Sequence, residues 1–142
     1  MKKLFNINLI PFLLLAFIPY NCSESKKDLK TNITTPSEIL AVDFNKLDVC
    51  GCSEQATKIL DQSIRTRKAY KNIQELKKNS SDKNKIVSLA KSWTDMMSSC
   101  FNRHAAKMFE PSGCNDLKKI NQKKIALHSL GIQIDQGENI KL

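Results

Sequence analysis

From Ile86 to Met108 the chain repeats apolar residues at spacings of three and four: Ile86, Leu89, Ala90, Trp93, Met96, Met97, Cys100, Phe101, Ala105 and Met108, with His104 on the same stripe. A period near 3.6 held for about six turns specifies one amphipathic helix, because a half-buried strand would alternate with a period of two. No glycine or proline falls between Asp82 and Phe109. The helix is predicted over that range, capped by Ser80 or Ser81 and stopped by Pro111 and Gly113. A helix this long in a small chain must bury its stripe against other helices, so it organises the fold.

A second helix is predicted from Ser53, its cap, to about Lys77, with Ala56, Ile59, Leu60, Ile64, Ala69, Tyr70, Ile73 and Leu76 on its apolar face. Lys77 to Asp82 reads as the turn between the two. Arg65, Arg67, Lys68 and Lys71 read as a solvated face. A third, shorter helix is expected over about Asp116 to Leu130, with Leu117, Ile120, Ile125, Leu127 and Leu130 inward and Gly131 as its stop. Ser37 to Val49 reads as a short helix or an extended lead-in, and Ile132-Gln133-Ile134 as a short extended piece. The expected fold is all-α: a long antiparallel helical hairpin, a third helix across it, and disulfide staples. Residues 37–136 form the helical domain, and 137–142 a loose C-terminal tail.

The N-terminus carries an address. Lys2 and Lys3 precede an apolar run, Leu9 to Ile18, of the length used by secretion signals and short for a membrane span. Cys22 follows it directly and opens the polar stretch Ser23-Glu24-Ser25-Lys26-Lys27-Asp28. This arrangement resembles the bacterial lipoprotein signal in the relaxed form seen in spirochaetes and Bacteroidetes, with Ile18 in the apolar place of the motif and Asn21 where a small residue is usual. The resemblance implies that residues 1–21 are removed, that Cys22 is acylated, and that residues 22–36 tether the domain to a membrane. Ser23, rather than an aspartate, after the cysteine implies the outer membrane more than the inner under enterobacterial sorting. Val49-Cys50-Gly51-Cys52 also resembles a cysteine pair of small Bacteroidetes lipoproteins of unknown function, which brings no activity with it.

Five cysteines stand at 22, 50, 52, 100 and 114. Exported domains pair their thiols, and with Cys22 assigned to lipid four remain. Cys50 and Cys52 are too close to pair with each other, which leaves two connectivities. Antiparallel helices favour the nested one, Cys52–Cys100 with Cys50–Cys114. A turn centred near Ser80, however, sets Cys52 opposite Met108, so either the chain near Cys52 folds back or the pairing is crossed. The alternative use of these residues is a soft metal site: Cys50, Cys52, Cys100, His104 and Cys114 offer thiolate and imidazole ligands for zinc or Cu(I). Met96, Met97 and Met108 extend that set but read as core packing.

Catalytic patterns are absent: no nucleophile elbow, zincin, phosphate-loop or dinucleotide motif occurs. Glu54 and Asp61 offer no evident partner for acid–base work. The net charge of +9 falls to about +7 once Lys2 and Lys3 leave with the signal, and a basic surface suits acidic partners. Nucleic acid is not expected, because the basic residues are not interleaved with stacking aromatics. Lys118, Lys119, Lys123 and Lys124 form the densest basic cluster and are candidates for contact with anionic lipid or an envelope protein. The sequence therefore reads as a non-catalytic envelope lipoprotein that presents a helical binding module and uses no cofactor. A periplasmic zinc- or copper-binding protein is the alternative, and an enzyme the third reading.

Overall fold

Among the described residues, four of the five α-helices start on an aspartate or asparagine. In the computed structural model, which describes residues 35–142, α1 spans Pro36–Leu40, α2 Val49–Lys68, α3 Ile73–Lys78, α4 Ser80–His104 and α5 Leu117–Ser129. Asp48, Asn72, Asn79 and Asp116 each accept a hydrogen bond from the backbone N–H three residues on, at 2.7 to 3.0 Å. Each cap satisfies one of the donors a helix start leaves open and contributes about 1 kcal/mol. Thr35 and Glu38 close α1 with a reciprocal capping box. Ser53 and Ser80 or Ser81 are therefore not the caps, and α2 begins early enough to carry Cys50 and Cys52 in its first turns. Among the described residues there is no strand, and the fold is all-α. No helix among them is long and apolar enough to cross a membrane. Residues 1–21, Cys22 and most of the expected tether lie outside the described residues.

The hairpin of α2 and α4 is interrupted. The expected first helix stops at Lys68, and α3 forms the connection, joined to α4 through the single residue Asn79. Tyr70 and Lys85 both bond the Asp82 carboxylate across this corner. The corner moves the centre of the hairpin towards residue 76, midway between Cys52 and Cys100, which removes the register conflict. The nested disulfides form: Cys52–Cys100 and Cys50–Cys114, with Cα atoms 6.2 and 5.2 Å apart. The first is buried and the second exposed. Closing the 48-residue separation stabilises by about 4 kcal/mol in the chain-entropy model. The second bond adds about 3 kcal/mol, because the first leaves only the 16-residue difference between the separations to close.

The core is one cluster. Ile59 and Leu60 of α2, Leu76 of α3, Ile86, Leu89 and Met96 of α4, and Leu127 of α5 are all but completely buried, with Ile39 of α1 beside them. Burying each large aliphatic side chain is worth about 1.5–3 kcal/mol. The stripe of α4 is as expected up to Cys100; beyond it Phe101 is half exposed and stacks at 6.0 Å on exposed Phe109. The helix ends at His104 rather than Phe109, because Ala105 takes a positive φ of 47° and the chain turns into a 3-10 segment, Ala105–Phe109. Asn115 holds the following bend, donating to the carbonyls of Met108 and Glu110 at 3.0 Å.

α5 ends as expected at Gly131, which has φ 86°. Gly131 N–H donates to His128 O and Ile132 N–H to Leu127 O, the Schellman pattern, with Leu127 and Ile132 both buried. Ile125, expected inward, is 60% exposed. Ile132 and Ile134 do pack, but Ile134 opens a 3-10 segment, Ile134–Asn139. The segment expected as a loose tail lies against α4. Gly137 sits so close that a Cβ there would meet Thr94 Oγ1 at 2.8 Å, Glu138 pairs with Lys91, and Ile140 is buried.

One of the charges read as solvated is instead structural. Arg67 is 7% exposed, with Nε donating to Leu130 O and a terminal nitrogen to Tyr70 O, both at 2.9 Å. It ties the end of α2 to the end of α5. The described residues thus hold their own core, caps and both disulfides, which is what a domain needs to fold alone.

Candidate functional site

α5 packs on α2, and between α5 and α4 a cleft of about 250 Å³ stays open. Its floor is Cys52, Ser53 and Ala56 of α2; one side is Trp93 and Met97 of α4, the other Leu117, Ile120, Asn121 and Lys124 of α5. Met108, Phe109 and Asn115 close the end. The amphipathic stripe of α4 supplies Trp93 and Met97, so residues that read as plain core serve here as lining. Trp93 Nε1 donates to Asp135 Oδ1 at 3.1 Å, and the other oxygen of Asp135 lies 3.1 Å from Lys124 Nζ. Lys124 also stands over the Trp93 ring, 5.7 Å from its centroid, within range of a cation–π contact. Asp135 therefore contacts both the indole and the ammonium at the mouth of the cleft. A second hollow, about 330 Å³, lies beyond Lys124 between α5 and residues 132–136, but exposed polar side chains such as Asn121, Gln133 and Gln136 make much of its wall. The apolar cleft is the better binding site, since ligand pockets are apolar with a few placed polar groups.

The residues singled out in the sequence divide as follows. Cys22 lies outside the described residues. Cys50, Cys52, Cys100 and Cys114 are all in disulfides and carry no thiolate. His104 directs Nε2 to Leu47 O at 2.8 Å, which anchors the segment before α2 to the end of α4. Among the described residues no group of three His, Cys, Asp or Glu side chains is placed to hold a metal ion. Of the lysine cluster, Lys118 and Lys119 are exposed. Lys123 bonds Asp61 of α2, and Lys124 bonds Asp135, so these two face the domain. Glu54 pairs with Lys58 one turn on, at 2.7 Å. Asp135 was not singled out: it acts through the tertiary structure, on Trp93 and Lys124, and belongs to no local pattern that would show it.

No protein-family model, curated protein or solved structure matches the chain.

Proposed function

We propose that this chain is an exported, lipid-anchored protein of a bacterial envelope, and that its helical domain is a non-catalytic binding module held at the membrane surface. One observation carries the reading. The two disulfides use all four cysteines of the domain, so Cys22, placed directly after the apolar leader, is the odd one. Paired thiols belong to oxidising compartments, and an odd cysteine at that position is where a lipoprotein signal takes its acyl chains. The binding role is supported by the open apolar cleft in a domain that carries no recognisable catalytic motif.

Replacing Cys22 with alanine tests the anchor. The expected result is a protein released from membranes, or left as an uncut precursor, with both disulfides intact by non-reducing mass spectrometry. A Cys22→Ala protein that is processed and still sediments with membranes would overturn the proposal.

A further inference from the structure

Trp93 is the only tryptophan in the chain, and it lies along the cleft with Met97, Met108, Leu117 and Ile120. Within this lining the Asn115 NH2 group is already spent on two carbonyls. Of the other polar side chains, Ser53 lies at the floor and Asn121 and Lys124 at the mouth. The Lys124–Asp135 pair is solvent-exposed, with side chains 33% and 61% accessible, so it holds the ammonium in place only weakly. An ammonium has three donors, and Asp135 uses one direction, which leaves room for a second acceptor.

We infer that the cleft binds a single aliphatic chain ending in a carboxylate. The chain lies against Trp93, Met97 and Ile120, and the carboxylate takes hydrogen bonds from Lys124 Nζ and the Asn121 amide. The volume selects the ligand. About 250 Å³ is the share of about eight waters in the liquid, and a methylene group is of similar size to a water. A medium-length chain fills it, and a two-tailed lipid does not enter. The basic balance of the chain, about +7 once Lys2 and Lys3 leave with the leader, favours an anion at the mouth over a cation or a neutral head. The inference rests on the reading of the domain as a binding module. It is read out at Trp93 rather than by membrane fractionation, so the two fail separately.

The test uses oxidised protein of residues 23–142. Hexanoate, octanoate, decanoate and dodecanoate are titrated below their micelle concentrations, following Trp93 emission, with calorimetry for stoichiometry. The expected result is saturable binding of one ligand. Affinity rises by up to about fourfold per methylene and levels off once about eight are inside. Lys124→Gln weakens decanoate by about tenfold, since it removes a charge-assisted bond, and leaves decanol within about twofold. Ile120→Asp removes binding of both; if that variant does not fold, Met97→Gln, on a partly buried position, gives the same reading. The inference is overturned by an absence of saturable binding, by affinity that climbs without a plateau, or by equal losses for decanoate and decanol in Lys124→Gln. A Trp93 response to phosphatidylglycerol vesicles with none to the free acids also overturns it, in favour of a bilayer surface.

Discussion

Replacing Arg67 with methionine keeps the length of the side chain and removes its donors. Two carbonyls lose their partner, Leu130 O at the end of α5 and Tyr70 O after α2. Hydrogen bonds from a charged donor contribute about 1.5–3 kcal/mol each. Against that loss, methionine is easier to bury than a guanidinium, and the offset is worth about one of the two bonds. The net expectation is a destabilisation of about 1.5–3 kcal/mol, a large part of the about 5–15 kcal/mol of a domain. For a domain near 100 residues it lowers the melting temperature by about 10 °C. Arg67→Lys keeps the charge but not the fork, reaches one carbonyl, and should lose about half as much. Denaturation of the oxidised proteins by urea gives the free energies, and amide exchange gives the location: protection should fall at the end of α5 and not in α1. A methionine variant within about 0.5 kcal/mol of the parent, or a lysine variant equal to arginine, would refute the reasoning.

Removing the disulfides one at a time separates them. Cys50→Ser with Cys114→Ser should cost about 3 kcal/mol, and Cys52→Ala with Cys100→Ala more than about 4 kcal/mol, since the buried pair also leaves a cavity; equal losses in urea denaturation would contradict the nested order. Ala105→Gly should stabilise the domain by about 1 kcal/mol by relieving a positive φ on a residue with a Cβ, while Gly137→Ala should destabilise it, with Thr94 in the way; thermal melts that move both the same way would count against this backbone. The Lys85 ammonium, then the Tyr70 hydroxyl, hold the Asp82 carboxyl below the usual carboxylate range. A depressed folded pKa gives stability that is present above about pH 4 and lost as pH falls through the folded value, so Asp82→Asn should show a smaller loss of melting temperature between neutral pH and about pH 3 than the parent does.

The long stripe made α4 legible because its signal is local and repeated: every turn from Ile86 to Cys100 votes for the same face. α5 was legible at both ends for the same reason, an Asp-capped start and a Gly131 stop. The early start of α2 was not, since a serine and an aspartate are equally good caps in sequence and only the packing of Cys52 against Cys100 selects Asp48. Arg67 and Lys123 look like any surface charges until α5 is laid on α2, because their partners lie 63 and 62 residues away. The cleft is the least legible feature. Its residues satisfy the same periodicity as the core, and whether a gap remains between α4 and α5 depends on how α5 is seated.

The two disulfides do more than fasten helices. Cys50-Gly51-Cys52 and residues 100–114 together form a closed covalent ring, and that ring carries Met108 and Phe109, one end of the cleft. A nick by a protease anywhere between Phe101 and Gly113 would leave both fragments attached. The ring also fixes which part of the cleft can yield. The α4 side and the Met108 end are bound to α2 through sulfur, whereas α5 is held to α2 without a covalent cross-link, by packing, the Lys123–Asp61 pair and the Arg67 bond to Leu130 O.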